Sequence, residues 1–442
     1  MSDIAIPKSR PSGTGRAEVD KVPREVRRVA LSSFLGNTIE SYDFLLYGSA
    51  AALVFGPLFF SGLSDSIALI ASFAAFATGF VVRPLGGFFF GRLGDRVGRK
   101  KVLLITMFIM GLASGAIGLL PTYDQVGLLA PILLVLLRML QGFAIGGEWG
   151  GATLMAAEHA PPSRRGLITS LSQVGLAAGG LGATGAMMIV SSLPRDVMLD
   201  WAWRIPFLVS FVIFAIGIYV RLKVNESPIF EALEAEERKV KNPISGSFRD
   251  HGFAIARGIF IVAPTIVVTT LYGSWAITYA VDAGHSRTTV LAALMVAWAS
   301  GIPAMVIYGI IGDRVGRRPI FFVSLTAFII LAYPAFLALN SGNGVLLFLT
   351  FAVLFVGIST SMTAGLGALL PELFPTKVRN TGISVAYQGG AVIAGFTPLI
   401  ASALITLDVG IELISAVIIG LCLLALLAVL HTGERVGESL GD

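Results

Sequence analysis

Gly94-Asp95-Arg96-Val97-Gly98-Arg99-Lys100 recurs later in the chain as Gly312-Asp313-Arg314-Val315-Gly316-Arg317-Arg318. Each copy is a short basic break between two long apolar runs, and the copies are not alone. Leu46-Tyr47-Gly48-Ser49 returns as Leu271-Tyr272-Gly273-Ser274, the stretch from Glu158 to Arg165 returns from Glu372 to Arg379, and Gln173 maps onto Gln388. Matches in one order and at similar spacing make the chain an internal repeat of two halves.

The material between the breaks sets the fold class. Of 442 residues 55% are hydrophobic and 13% charged, where a soluble chain carries about 25% charged residues. A membrane helix needs about 20 mostly apolar residues. Apolar runs fall near 30–60, 66–91, 101–120, 129–157, 167–192, 205–222, 257–282, 288–311, 320–339, 344–370, 381–404 and 411–431. They are continuous and rich in Leu, Ala and Gly, without the alternation of a transmembrane barrel. The expected fold is an all-α polytopic membrane protein with twelve transmembrane helices in two pseudo-symmetric six-helix bundles. Its parts are a tail 1–29, a bundle 30–222, a central loop 223–256, a bundle 257–431 and a tail 432–442.

The net charge of +5 would suggest nucleic acid in a soluble protein, but a twelve-helix count accounts for it. With both termini inside, 27 of the 32 Lys and Arg residues fall on one side of the membrane, as the positive-inside rule requires. The expectation is a multi-pass protein of the cytoplasmic (inner) membrane with both termini cytoplasmic and no nucleic-acid partner. Residues 1–29 lack the apolar run of a signal peptide. The central loop carries Glu231-Ala-Leu-Glu234-Ala-Glu236-Glu237-Arg238-Lys239, which suits a solvated amphipathic linker. The single cysteine, Cys422, leaves no intrachain disulfide or cysteine metal cluster, and the four histidines lack ligand spacing. No metal or cofactor is expected. Phosphate-loop, zinc-protease and nucleophile-elbow motifs are absent from the sequence, which excludes an ATP-driven pump or a soluble-type enzyme.

An ionisable side chain at mid-bilayer is costly and normally faces a cavity or a partner. Glu40 and Asp43 lie roughly 18 and 22 Å along helix one from Arg28 at 1.5 Å per residue, and Tyr47 continues their stripe. Arg138 falls near the middle of helix four. A carboxylate that titrates and a cation that holds an anion are what proton-coupled uptake of a carboxylate requires. Proton coupling is therefore assigned to Asp43, with Glu40 and Glu148 as alternatives. Substrate binding is assigned to Arg138 with Gln141, Tyr47, Asn37, Tyr272, Gln173 and Gln388. Arg83, followed by Pro84, is expected to hold a kinked helix end. The glycines of helix five, Gly175, Gly179, Gly180, Gly182 and Gly185, suit close helix packing. The repeated acid–base sets, Asp95, Arg96, Arg99, Glu158 and Arg165 in one half and Asp313, Arg317, Glu372 and Arg379 in the other, are expected to form a cytoplasmic gate present in one state of a two-state carrier.

The segment Gly91-Arg92-Leu93-Gly94-Asp95-Arg96-Val97-Gly98-Arg99-Lys100 resembles the loop signature of the major facilitator superfamily, in its expected place after helix two. Further segments resemble one branch, the metabolite:proton symporters, which carry shikimate, 2-oxoglutarate, citrate, or proline and betaine. They are Gly36-Asn37-Thr38-Ile39-Glu40-Ser41-Tyr42-Asp43-Phe44, Arg83-Pro84-Leu85-Gly86-Gly87, Arg138-Met139-Leu140-Gln141-Gly142-Phe143, Gly146-Gly147-Glu148-Trp149-Gly150-Gly151, Glu158-His159-Ala160-Pro161 with Arg164-Arg165-Gly166, and Trp203-Arg204-Ile205-Pro206-Phe207. Ser41 stands where such relatives usually have Trp. The resemblance implies secondary active symport of a small polar metabolite, a carboxylate or betaine-like solute, with protons, by a carrier functional as a monomer. The competing functions are a transporter-like osmosensor or receptor and a proton-coupled exporter of drugs or metabolites. Such exporters place a Gly-Pro pair in helix five, where this chain has no proline between Pro162 and Pro194. Osmosensing relatives carry a long C-terminal coiled coil, whereas about eleven residues, 432–442, follow helix twelve here, which weighs against that function.

Overall fold

A computed structural model describes residues 24–97, 99–146, 157, 160–223, 243–375 and 378–434. These residues form twelve spans. The first bundle holds α1 (Arg24–Ala50), α2 (Asp65–Val97), α3 (Arg99–Ile117), α4 (Leu129–Ile145), α5 (Arg165–Ser191) and α6 (Arg204–Lys223). The second holds α7 (Pro243–Val267), α8 (Arg287–Val315), α9 (Arg317–Leu331), α10 (Thr360–Glu372, entered from Gly344–Ala352), α11 (Arg379–Gly395) and α12 (Ile411–Leu430). Among the described residues, eight helices are long and apolar enough to cross a membrane, and a bent pair before and within α6 makes a ninth. The other three spans, α3, α4 and the broken α9, are shorter. Large apolar side chains such as Ile189, Val323 and Ile330 point outward and stay exposed, as a lipid-facing surface requires.

Two boundaries differ from the sequence expectation. The repeated basic motif is not a loop: Gly94–Val97 finish α2, and Gly312–Val315 finish α8. In the second copy the chain reverses at Gly316 alone, with φ 101°, a conformation that favours glycine. Likewise α7 begins at Pro243, inside the segment expected to be loop, and its helical path breaks at His251. The charged stretch 231–239 lies outside the described residues.

Four spans widen into π-helical turns: Ala51–Phe55 after α1, Met198–Ala202 before α6, Val268–Trp275 after α7 and Val353–Ser359 before α10. Each such turn inserts a residue into the i→i−4 ladder, a feature frequent at functional sites. The repeated Leu-Tyr-Gly-Ser segments meet here: a Cβ added to Gly48 would lie 3.1 Å from Ser274 Cβ.

Helices α2 and α4 owe their contact to glycine. A Cβ on Gly142 would fall 2.8 Å from Gly79 Cα and closer still to its carbonyl, and one on Gly79 would lie 2.6 Å from Arg138 Nε. Small residues at such crossings let backbones approach without a hydrophobic driving force. Gly142→Ala is therefore expected to destabilise the bundle by at least about 1–3 kcal/mol, the usual cost of overpacking. A thermal-denaturation midpoint equal to that of the parent protein in detergent would contradict this. In α5, Gly175 and Gly179 face the α1 backbone and Gly180 the Trp298 ring, the close packing its sequence suggests.

Candidate functional site

At the basic end of the molecule the two bundles are joined by a buried charge cluster. Glu372 ends α10 and accepts a hydrogen bond from Arg165 at the start of α5, 3.1 Å. Arg317 reaches the same carboxylate oxygen at 3.6 Å and Asp313 at 3.3 Å. Asp313 in turn accepts from the backbone N–H groups of Gly166, 2.7 Å, and Leu167, 2.9 Å. A carboxylate at those unpaired N–H groups is favoured by the helix dipole. Gly166 is required for the approach, because a Cβ there would meet Asp313 Oδ1 at 2.8 Å. Arg379 donates to the carbonyls of Pro371 and Phe374 and so braces the turn that presents Glu372. The structure thus brings Arg165, Asp313, Arg317 and Glu372 together across the two halves. The side chains of Asp95, Arg96, Arg99 and Glu158, the matching set of the first half, lie outside the described residues.

A second link on the same side runs from Gln388 Nε2 to the Gly146 carbonyl, 3.1 Å. At the opposite end Thr278 donates to the Ala52 carbonyl, 3.0 Å, again between bundles. Between these closures lies a cavity of about 60 Å³, far below the roughly 300 Å³ at which drug-sized ligand pockets begin. The two bundles therefore meet at both ends and leave a small cavity lined by both.

The lining comes from both halves: Asn37, Glu40, Ser41 and Phe44 of α1, Phe80 and Arg83 of α2, Gln173 of α5, Thr265 of α7 with Thr269 after it, Thr363 of α10 and Tyr387 of α11. Asn37 donates to Gln173 Oε1, 3.3 Å, and to the Ser172 carbonyl. Ser41 Oγ lies 3.4 Å from Asn37 Oδ1, so the residue that departs from the branch pattern shapes this wall. Arg83 stacks over Phe80 at 4.4 Å and Phe44 at 4.9 Å, and Glu40 and Tyr387 line the same cavity. The expected helix-end role of Arg83 is corrected: its guanidinium belongs to the cavity wall. Depth along the helix did not reveal which way the side chain faces. Phe80, Thr265, Thr269, Thr363 and Tyr387 also line the cavity and are missed from sequence; for Tyr387 its neighbour Gln388 was the visible signal.

Arg138 and Asp43 occupy a separate, fully buried cluster outside that lining. Gln141 sits between them, donating to Asp43 Oδ2 at 2.8 Å and accepting from Arg138 at 3.3 Å; it also donates to Ser114, 2.7 Å. Arg138 lies over Tyr47 at 4.3 Å and Phe76 at 4.8 Å, and like Arg83 it leans on Phe44, at 5.1 Å. Asp43 Oδ1 and the hydroxyls of Tyr47 and Tyr272 are buried without a hydrogen-bond partner. Thus Glu40 and Asp43, three residues apart, serve different surroundings. Asn37, Glu40 and Gln173 line the cavity, whereas Arg138, Gln141, Tyr47, Tyr272 and Gln388 do not. Glu148 lies outside the described residues. No group of His, Cys, Asp and Glu able to hold a metal occurs among the described residues.

Comparison with known proteins agrees with this architecture. Residues 29–244 match the family model of sugar (and other) transporters and residues 299–440 that of the major facilitator superfamily. The chain is 39% identical to the inner membrane metabolite transport protein YhjE of Escherichia coli, over 93% of this chain and 95% of that one. It is 36% identical to the E. coli shikimate transporter, covering 87% and 89%, and 34% identical to the E. coli proline/betaine transporter, covering 86% and 78%. The fold matches the proton:xylose symporter XylE with a TM-score of 0.72 at 16% identity, over 94% and 97% of the two chains. A twelve-helix repeat around a polar centre, with these metabolite transporters as relatives along nearly its whole length, places the chain in the major facilitator superfamily of membrane transporters.

Proposed function

We propose that the protein is a secondary active symporter that takes up a small polar solute bearing a carboxylate together with protons, by alternating access across the inner membrane. The observation that carries this is the central cavity lined by both halves, holding Arg83 and Glu40 between bundles that are linked at both ends. A carrier needs a polar site between its halves, together with links that break one end at a time. The cluster at Glu372 is the gate of the basic end, and the charge distribution of the sequence puts that end and both termini in the cytoplasm. Asp43 takes the transported proton. It is a carboxylate held one amide away from a cation, so a small rearrangement of Gln141 alters its balance between charged and neutral forms. The sequence relationship to shikimate and proline/betaine transporters supports a carboxylate-bearing solute.

The test is uptake into proteoliposomes of purified protein with an imposed proton gradient. Accumulation above the external concentration, abolished by a protonophore, is the expected result. Equilibration alone, unaffected by the gradient, would make the protein a uniporter and overturn the symport assignment.

A further inference from the structure

Two arginines converge on the end of α12. Arg257 of α7 donates through Nη1 to the carbonyl of His431, the residue that caps α12, and Arg318 of α9 donates through Nη2 to the carbonyl of Leu430, 3.1 Å away. Adjacent carbonyls of one helix end therefore hold guanidiniums from two neighbouring helices. A ring of the same helix backs each guanidinium: Arg257 lies over Phe253 at 5.0 Å and Arg318 over Phe322 at 6.0 Å. Among the described residues neither arginine forms an ion pair, in contrast to Arg165 and Arg317 of the charge cluster at Glu372. The carboxylate at this corner, Glu434, instead accepts from the backbone N–H groups of Arg317 and Arg318, 3.1 and 3.0 Å. The opposite half-charges of the α9 start and the α12 end cancel, so two guanidiniums against one carboxylate leave about one positive charge. Arginines that only capped α12 would need one donor each, and a guanidinium carries about five.

The same corner ends a lipid-facing stripe. Leu423, Leu427 and Leu430 recur on one face of α12 and are all exposed, and Phe253 beside Arg257 is 70% exposed. Such a stripe faces acyl chains, and half-buried arginines at its polar edge reach the level of the headgroups. A soluble anion would use the guanidiniums and leave the stripe idle; a phospholipid uses both. Planar guanidiniums take phosphate oxygens through paired N–H donors, and basic pockets between helices on the cytoplasmic side hold anionic headgroups. We infer that Arg257 and Arg318 form a binding site for an anionic phospholipid where α7, α9 and α12 meet. Its phosphate rests on the two guanidiniums and its acyl chains run along the α12 leucines. The site stands apart from the solute cavity and does not depend on which solute is carried.

The experiment is native mass spectrometry of the purified full-length protein, titrated with dioleoylphosphatidylglycerol, with dioleoylphosphatidylcholine and with inorganic phosphate. The two lipids share their acyl chains and differ in net charge, because choline neutralises the phosphate of the second. The parent protein should bind its first phosphatidylglycerol at least about tenfold more tightly than phosphatidylcholine, the scale of one charged hydrogen bond. Arg257→Gln combined with Arg318→Gln should bring the two lipids to within about threefold of each other. Arg92→Gln, which removes an arginine stacked over Phe88 at 4.9 Å in the other bundle, should keep the preference. Equal binding of the two lipids by the parent, a preference that survives in the double variant, or an equal loss in Arg92→Gln overturns the site. Inorganic phosphate bound as tightly as phosphatidylglycerol would make the ligand a free phosphate and overturn the lipid assignment. A second measurement needs no variant. Phosphatidylglycerol carrying a diazirine in an acyl chain should crosslink to α12 between Leu423 and Leu430 several-fold more than the matching phosphatidylcholine, and equal yields there overturn the inference.

Discussion

Glu372→Gln should open the basic end of the molecule. Arg165 and Arg317 present guanidiniums with side chains 2% and 0% exposed, and Glu372 is the carboxylate both share. Breaking a buried ion pair by removing one partner typically costs about 3–5 kcal/mol, because the remaining charge stays desolvated. That cost is borne only while the two bundles are closed at this end. The equilibrium between closed and open basic ends should therefore move toward open by about 100-fold or more, since each 1.4 kcal/mol is a factor of ten. The readout is alkylation of a cysteine placed in the cavity wall, Ser41→Cys, in a Cys422→Ser background. A membrane-impermeant maleimide applied from the basic side should label Glu372→Gln far faster than the parent. Glu372→Asp, which keeps the charge on a shorter stem, should fall between them. Equal labelling of all three would remove Glu372 from the gate.

The charge cluster at Glu372 also marks how far sequence alone reaches. Equivalent acids and bases in the two repeats identified Asp313, Arg317, Glu372 and Arg165 as a group, because a repeat makes chemical correspondence visible without coordinates. It did not reveal that Asp313 would cap α5 of the other bundle, nor that Glu434 would accept from the backbone N–H groups of Arg317 and Arg318 at the start of α9. Those contacts join residues far apart in the chain, and no local pattern encodes them. The same division applies to the membrane core. Twelve apolar runs and their basic breaks are one-dimensional quantities, and they appear in the structure nearly where the hydropathy puts them. Side-chain direction is not one-dimensional. Arg83 and Arg138 both sit in apolar helices, yet one faces the cavity and the other an aromatic cage, decided by which face of α2 and α4 the glycines Gly79, Gly142 and Gly146 bring into contact. The π-helical turns escaped for a similar reason: the composition of Ala51–Phe55 or Val268–Trp275 does not distinguish a widened turn from an ordinary one.

Asp43→Asn should abolish accumulation while leaving downhill exchange. Asp43 is fully buried, bonded by Gln141 and with the hydroxyls of Ser114 and Ser210 beside its carboxylate. A carboxylate buried among neutral amide and hydroxyl groups can hold a proton as well as a charge, which a proton-coupling site requires. Asparagine keeps the shape and can still meet Gln141, so the packing of α1 on α4 should survive, but the residue no longer titrates. For a carrier moving one proton per solute, a gradient of one pH unit sustains about tenfold accumulation at zero membrane potential, because 1.36 kcal/mol drives each transfer. Asp43→Asn should reduce that ratio to unity in proteoliposomes while counterflow of labelled solute continues. Glu40→Gln is the matched comparison. It removes a carboxylate of the cavity wall and should weaken binding of the solute without breaking its link to protons, so any solute taken up should still accumulate. The opposite pattern, with Asp43→Asn still concentrating solute in a proton-dependent way and Glu40→Gln only equilibrating it, would transfer the proton to the cavity wall. Arg138 distinguishes the two arrangements again. If Asp43 carries the proton, Arg138→Gln removes the cation that opposes protonation, and proton release, not solute binding, becomes the impaired step. Exchange should then outlast net uptake in that variant as well.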